Sequence, residues 1–206
     1  MNTPTTVNLN PDGRSAHYVF PKGSKIPTGD YYPVGGVCWP SAGTGYVARQ
    51  GVVLCGICET TTRIVYVVGQ ESFLTVAHVT RPGSNYIEHV GCCEFFNRMY
   101  STWLCRRYYF DQAEPIAEPF ALETYRCELV NPKPMFLDPD IHARDAVTAM
   151  RLMLSTGRLK YQRDSLVHEQ LRDFDVSADD TLLPAVHALL CMVAAVATMR
   201  PPENGV

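Results

Sequence analysis

Hydrophobic and polar residues follow two different periods along the chain, and each period predicts a different kind of element. Three β-branched runs, "YVARQGVVLCGI", "TRIVYVVG" and "SFLTVAHVT", are typical of successive antiparallel strands. The polar breaks "CETTT" and "GQES" between them are predicted as turns, and "RPGSN" after them as a loop. The next stretch, "GCCEFFNRMYSTWLCRRYYF", has its apolar residues at helical spacing, which predicts an amphipathic helix. Its apolar positions are Cys92, Phe95, Phe96, Met99 and Trp103.

The segments on either side of this region have a different texture. Residues 1–45 are rich in Pro, Gly, Thr, Asn and Tyr without a helical period, so we expect an irregular arm over the core. The proline-rich stretch after the first helix contains one short strand candidate, "ETYRCELV". A helix is predicted over "DIHARDAVTAMRLMLSTG", closed by Gly157, and another begins at Pro184 and stops before Pro201. The charged stretch between them is predicted as a solvated helix and turn.

These elements predict an α+β fold in which a small antiparallel sheet is packed by a helix, with an extended N-terminal arm and C-terminal helices. The expected organisation is an irregular N-terminal arm over residues 1–45, a sheet-plus-helix core over 46–140 and a helical C-terminal region over 141–206. The last helix is apolar nearly all round, which is typical of a helix buried by a neighbour. We expect residues 182–199 to self-associate, to pack on a partner or to contact a membrane surface peripherally.

Composition limits the range of functions. The chain has 206 residues, of which 46% are hydrophobic and 19% charged, so it can bury a core. Its net charge of -3 disfavours a general attraction to nucleic acid. A local exception is "WLCRRYYF", where Arg106 and Arg107 lie among aromatic residues and could bind single-stranded RNA by phosphate contact and stacking. The alternative is that the two arginines cap the C-terminus of the predicted helix.

Eight cysteines are the most prominent feature of the composition. The first residues, "MNTPTTVNLNPDGRS", contain no apolar signal-peptide core, so we expect reduced thiols and a location in the cytoplasm or nucleus. Cys38 and Trp39 could suggest a papain-like nucleophile. Because Pro40 would break the helix that such a nucleophile needs behind it, Cys38 is predicted to be structural.

Two cysteine arrangements have a chemical interpretation. Cys93 lies at the predicted start of a helix, where the helix dipole favours thiolate, and His78 lies on the preceding strand as a candidate proton acceptor. The second arrangement is a metal site formed by Cys55 and Cys58 of "CGIC" with Cys92, for which zinc would be the ion. In an unbroken strand, however, Cys55 and Cys58 would face opposite sides. We therefore expect no cofactor and keep zinc as the alternative.

The order "YVARQGVVLCG", "TVAHVTRPG" and "GCCEFFNRM" resembles the H-box/NC 2A proteins of picornaviruses, which have a lecithin:retinol acyltransferase-like fold. The resemblance implies that His78 matches the histidine of the second strand. It also implies that Cys93 matches the nucleophile, with Glu94 and Phe96 as its neighbours. These pieces cover about a quarter of the chain.

The sequence departs from that family at two motif positions. The H-box histidine falls on Gln50 or Arg49, neither of which is a general base at neutral pH, and Cys92 replaces the asparagine before the nucleophile. A second register uses His89 and Cys127, but the "NPKP" after Cys127 cannot form a helix. The first register therefore implies an acyltransferase-like frame with incomplete machinery.

A second resemblance points to the same kind of protein. "GVVLCGICETTTRIVYVVGQESFLTV" is similar to the core of the herpesviral US-twenty-two family, whose members antagonise host defences without catalysis. We therefore predict a viral non-structural protein, in the host cytoplasm or nucleus, that binds host or replication-complex proteins. The alternatives are a thiol acyltransferase or hydrolase that uses Cys93 and His78, and a zinc-binding or US-twenty-two-like antagonist of host defence.

Overall fold

The computed structural model describes residues 2–38, 49–81, 84–90, 92–110, 135–137, 143–174 and 183–199; for residues 49–50, 74–81, 84–90, 92–93, 136 and 143 it describes the backbone alone. The strands are β1 (Thr6–Leu9), β2 (Ala16–Val19), β3 (Gly29–Cys38), β4 (Arg49–Glu59), β5 (Val65–Arg81), β6 (Ser84–Val90), β7 (Arg107–Tyr109), β8 (Met135–Leu137) and β9 (Leu159–Lys160). The helices are α1 (Cys92–Trp103), α2 (Ala143–Ser155), α3 (Leu166–Asp173) and α4 (Pro184–Thr198).

All of these strands belong to one sheet. Strands β1 to β6 lie side by side in chain order, each antiparallel to the next. Strand β7 runs parallel to β3, on the edge of β3 that β2 occupies further along, and β8 is parallel to β7. Strand β9 is parallel to β5. The predicted α+β fold with an antiparallel sheet and packed helices is therefore confirmed.

Strand β4 lies in the middle of the sheet and is covered on both faces. Val53, Cys55 and Ile57 belong to the apolar core on the side of α1. Leu54 and Cys58 belong to the core on the side of α4. Because successive side chains of a strand point to opposite faces, this one strand contributes to both cores.

Helix α1 covers the first face through the apolar stripe that the sequence predicts. Phe95, Met99 and Trp103 are buried in the core beside the sheet. The Tyr18 hydroxyl of β2 donates a hydrogen bond to the Trp103 carbonyl and so ties the end of the helix to the sheet. Leu104 follows with a positive φ of 51°, and this left-handed residue turns the chain away from the helix.

Helix α4 covers the opposite face, together with α2 and α3. It begins at Pro184, as predicted, and ten of its residues are buried within the chain itself. A Cβ on Gly36 of β3 would lie 1.9 Å from the Ala188 carbonyl oxygen, so glycine is required for this approach of helix to strand. Most of the apolar surface of α4 is therefore buried within the chain, against the sheet and the helices α2 and α3; contact of residues 182–199 with a partner or a membrane stays a prediction.

The C-terminus of α4 is capped from a distant turn. Arg63 lies between β4 and β5 with a positive φ of 61°. Its guanidinium donates hydrogen bonds to the carbonyl oxygens of Val196, at 3.0 Å, and Met199. A cation at this end of a helix also interacts favourably with the helix dipole.

The prediction of an irregular arm is wrong for β1, β2 and β3, which lie within residues 1–45. The sequence of β3, "GDYYPVGGVC", contains Pro and Gly, which are typical of loops, and the strand was therefore not predicted. The glycines are there for close packing rather than for a turn: a Cβ on Gly35 would lie 2.1 Å from the Tyr108 ring, on the other face from Gly36. The domain boundaries themselves stay a prediction.

Three further expectations need correction or lie outside the described residues. "GQES" is not a turn but part of β5, which accommodates a bulge where Cys55 pairs with Gly69 and Gly56 with Val67. The predicted loop "RPGSN" is wrong at Arg81, which belongs to β5, and at Ser84 and Asn85, which belong to β6; Pro82 and Gly83 lie outside the described residues. The strand candidate "ETYRCELV" lies outside the described residues. The helix ending at Gly157 and the charged helix α3 are confirmed.

Candidate functional site

The predicted acyl-transfer residues occupy the expected elements. Cys93 is the second residue of α1, and His78 lies in β5, in register with Tyr86 of β6. Gln50, at the H-box position, is in register with Leu74 of the same strand β5. Only the backbone is described at His78 and Cys93, so the structure does not test whether these side chains meet.

The two residues of the alternative register, His89 and Cys127, also stay a prediction. His89 lies in β6, in register with Thr75, and only its backbone is described. Cys127 lies outside the described residues. Around the nucleophile position, Glu94 is exposed and Phe96 is buried beside the sheet.

The structure does not bring the predicted metal ligands together. Cys55 belongs to the core on the α1 side and Cys58 to the core on the α4 side, so the sheet lies between their sulfurs. Burial, with a hydrogen bond to Cys105, raises the pKa of the Cys55 thiol well above its ordinary value. Burial also raises the pKa of Cys58, to about 11. Because zinc needs thiolates on one side of the backbone, these two residues cannot share an ion. Within the described part of the chain, no cluster of three or more His, Cys, Asp or Glu residues could hold a metal ion.

A groove runs between the β1–β2 turn and β7, and we call it the arginine groove. It consists of two adjoining pockets of about 230 and about 390 Å³, which share Arg14, Pro33 and Arg107. The first pocket is also lined by Leu9, Gly13, Tyr100, Leu104, Arg106 and Met135. The second is also lined by Tyr32, Tyr109, Leu137, Thr198 and Met199.

Arg14 reaches the groove because a tight turn holds its backbone. Asp12 Oδ1 accepts hydrogen bonds from the backbone N–H groups of Arg14, at 2.8 Å, and Ser15, at 2.9 Å. Gly13 between them has a positive φ of 63°, which glycine adopts without strain. Burial alone would raise the pKa of the Asp12 carboxyl, but these hydrogen bonds lower it below its ordinary value. The carboxylate thus stabilises the turn that presents Arg14.

Arg106 and Arg107 reach the groove because the chain leaves α1 at Leu104 and enters β7. The N–H of Met135 donates to the Arg106 carbonyl at 2.7 Å, which fixes this backbone against β8. The helix ends at Trp103 and Arg107 already belongs to β7, so the two arginines follow α1 and do not lie in its last turn; their role as caps stays a prediction. Of the aromatic residues beside the arginines in "WLCRRYYF", Trp103 and Tyr108 are buried, while Tyr109 lines the groove together with Tyr100; RNA binding through the arginines stays a prediction.

The groove combines positive charge with apolar surface. Burial raises the pKa of the Tyr109 hydroxyl, while the positive charges of Arg107 and Arg14 act in the opposite direction. Two of the large hydrophobic residues that remain exposed lie here, Leu9 at 61% and Met135 at 38%. Arg14 and Arg106 are exposed as well. The arrangement suits a ligand that carries both negative charge and apolar groups.

A sulfur–imidazole pair on the α4 side of the sheet was not predicted. The Sγ atom of Cys38, the last residue of β3, lies 3.5 Å from Nδ1 of His187 in α4. Sequence reasoning considered Cys38 alone and dismissed it because of Pro40. Cys38 and His187 are 149 residues apart, so no local pattern could have joined them.

Sequence reasoning also missed half of the arginine groove. Arg14 and Leu9 come from the arm predicted to be irregular, and Met135 comes from the proline-rich stretch, where no strand was predicted at this position. The available signal was "NPDGRS", in which Asp and Gly mark a turn that would expose the following arginine. No family model matches the sequence, and no curated protein matches it. The two viral resemblances therefore stay predictions.

No helix among the described residues combines the length and the apolar character that crossing a bilayer requires.

Proposed function

We propose that the protein acts by binding a partner protein rather than by turnover, and that the arginine groove takes an acidic segment with apolar side chains. If the viral resemblance holds, the partner is a host or replication-complex protein and the chain is a viral non-structural protein. The observation that carries the proposal is the meeting of three arginines with exposed Leu9 and Met135 in one groove.

The arginines provide the charge for this interaction. Guanidinium groups bind carboxylates in a fixed, often bidentate geometry, which makes arginine frequent at binding surfaces. Arg14 and Arg107 line both pockets, and within the described residues neither forms an ion pair with a carboxylate. An acidic partner would therefore meet two guanidinium groups without a close ion pair in the described part of the chain, although Arg14 already interacts electrostatically with the carboxylate of Asp12.

The apolar residues decide between classes of partner. Leu9 and Met135 are exposed beside the arginines, and Leu104 and Pro33 extend the apolar surface. A peptide with leucine-like side chains buries such surface, at roughly 25 cal/mol per Å². Tyr100 and Tyr109 could instead stack on bases of single-stranded RNA. The net charge of -3 and the exposed aliphatic residues favour the peptide.

The departures from the acyltransferase-like motif support binding over turnover. Gln50 or Arg49 stands where the H-box histidine is expected, and an amide or a guanidinium cannot accept a proton at neutral pH. A frame without this base is expected to persist as a binding fold.

Fluorescence anisotropy with a short labelled peptide of alternating glutamate and leucine tests the proposal. We expect saturable binding that weakens at least tenfold, about 1.4 kcal/mol, when Arg14→Glu and Arg107→Glu are combined. Leu9→Ser with Met135→Ser should weaken binding as well, because the apolar contact is lost.

The matched control combines Arg144→Glu with Arg151→Glu, which changes the net charge equally on exposed positions of α2. We expect this control to bind like wild type, apart from a small long-range effect that salt screens. Equal weakening by both pairs would show that only overall charge matters. Tighter binding of a labelled oligouridine than of the peptide would mean that the groove binds RNA rather than a protein partner. Absence of saturable binding to both probes would contradict the proposal.

A further inference from the structure

The Cys38–His187 pair lies beside a close approach of α4 to the sheet at Gly36. Gly36 and Cys38 are two residues apart on β3 and therefore face the same side. The backbone of α4 approaches Gly36 at Ala188, the residue directly after His187. The contact that positions the helix thus also places the imidazole Nδ1 3.5 Å from the Cys38 Sγ.

Cys38 differs from the other buried cysteines that the structure describes. It is the most exposed of them, at 7%, whereas Cys55 and Cys58 are at 0%. Burial raises the pKa of both Cys55 and Cys58, which keeps these two thiols protonated and unreactive. An imidazole beside Cys38 favours the opposite state, because it can take up the thiol proton and stabilise the thiolate.

The surroundings select the type of electrophile. Acyl transfer needs backbone donors for an oxyanion, and the first turn of α4, which includes His187, is one place among the described residues where such donors are expected. Pro184 has no N–H, and the N–H of Ala185 is already donated to Oε1 of Gln170 at 2.7 Å. Thiol–disulfide exchange needs no oxyanion hole; it requires a thiolate whose sulfur the disulfide can reach, and the small exposed fraction of Cys38, 7%, is the access that the pair offers.

We propose that Cys38 is a modification site at which low-molecular-weight disulfides such as glutathione disulfide form a mixed disulfide, with His187 as the proton acceptor. The Cys38 thiol transfers its proton to the imidazole, and the thiolate attacks one sulfur of the disulfide. The new S–S bond forms as the old one breaks, and the leaving thiolate takes the proton from the imidazolium. Cys38 is oxidised and half of the small disulfide is reduced. The arginine groove takes no part in this step.

The rate of modification of each cysteine provides the test. The full chain is incubated with glutathione disulfide, free thiols are blocked with N-ethylmaleimide, and each cysteine is quantified by peptide mass spectrometry. We expect Cys38 to form the mixed disulfide at least about tenfold faster than Cys58 near pH 7, since each pKa unit changes the thiolate fraction tenfold. His187→Gln should slow the reaction at Cys38 by about tenfold at this pH, and by much less above about pH 9, where an ordinary thiol ionises unaided.

His168→Gln is the matched control, because His168 is a partly exposed histidine on the neighbouring helix α3. This control should leave the rate at Cys38 unchanged. Unchanged rates at Cys58 and Cys105 would show that the core of the His187→Gln variant is as inaccessible to glutathione disulfide as the core of wild type. If that variant does not fold, the wild-type pH profile decides: a rate at Cys38 that persists well below about pH 8 supports the pair. The proposal is overturned if the rate at Cys38 rises only over the pH range in which an ordinary thiol ionises, or if it does not exceed the rate at Cys58.

Discussion

Asp12 shows how one carboxylate can organise a binding surface. Its Oδ1 accepts from the N–H groups of Arg14 and Ser15, and its Oδ2 accepts from the Ser15 hydroxyl at 2.8 Å. Together these bonds close the turn between β1 and β2 and direct Arg14 to the groove. They stabilise the ionised carboxyl, which is why its pKa lies below the ordinary value.

The lowered pKa of Asp12 gives a pH-dependent prediction. A group whose pKa is lowered on folding contributes stability above its unfolded pKa of 3.8 and loses it as pH falls through the lower, folded pKa. Asp12→Asn should therefore reduce the free energy of unfolding at neutral pH. The difference from wild type should shrink as pH falls below 3.8. Urea titrations at several pH values measure it.

An exposed aspartate elsewhere provides the comparison. Asp164→Asn changes the same chemical group before α3, where the side chain is exposed. We expect this variant to stay close to wild type at neutral pH. A difference for Asp12→Asn that does not change between neutral and acidic pH would mean that its hydrogen bonds do not depend on the charge.

At the scale of elements, the contact between β3 and α4 leaves no space for a side chain at Gly36. A Cβ added to Gly36 would overlap the Ala188 carbonyl oxygen and would lie 3.0 Å from the Cβ of Met192. A backbone atom of a buried helix cannot rotate away as a flexible side chain can. The helix must therefore shift as a whole if a methyl group is added at Gly36.

Gly36→Ala tests this contact. We expect a loss of about 1–3 kcal/mol in the free energy of unfolding, the usual cost of overpacking a core. Gly29→Ala, at the start of the same strand, is the matched control because its Cβ would meet only an ordinary contact, 3.7 Å from the Tyr31 ring. Denaturant unfolding of both variants provides the measurement. Equal stabilities for the two would show that α4 moves freely over β3.

At the scale of the whole molecule, the sheet is the middle layer between α1 and the C-terminal helices. The sheet core on the α4 side includes Val186, Leu189, Met192, Val193 and Val196, each at most 3% exposed. Burial of such side chains stabilises a protein by roughly 1.5–3 kcal/mol each. Their combined contribution, on the order of 10 kcal/mol, is comparable to the net stability of a domain of this size.

Removal of residues 182–206 should therefore abolish folding rather than only change association. We expect near-UV circular dichroism and cooperative unfolding to disappear, because one face of the sheet would be left uncovered. Removal of residues 200–206 alone is the control and should preserve both signals, since α4 remains together with the Met199 carbonyl that accepts a hydrogen bond from Arg63. A truncated chain that stays folded and changes only its association state would instead support the partner-facing role that the sequence suggests.

Local periodicity determined the elements whose pattern depends on near neighbours. The apolar stripe of α1, the strand character of β4 and the opposite placement of Cys55 and Cys58 could be predicted, because side chains repeat every two residues in a strand and every 3.6 in a helix. The start of α4 at Pro184 and the stop at Gly157 could be predicted for the same reason, since caps are local.

Only the tertiary structure decided the positions that depend on distant contacts. Gly35 and Gly36 look like turn residues, yet they belong to a strand because a tyrosine ring and a helix backbone pack against them. The approach of Arg14 to Arg107, and of Cys38 to His187, joins segments that the sheet brings together from far apart in the chain. Such contacts leave no mark in the periodicity of either segment. The sequence by itself therefore determined the elements that have a clear period or a local cap, such as β4, α1 and α4. The packing of the sheet decided the strands hidden by Pro and Gly, such as β3, and which residues form a site.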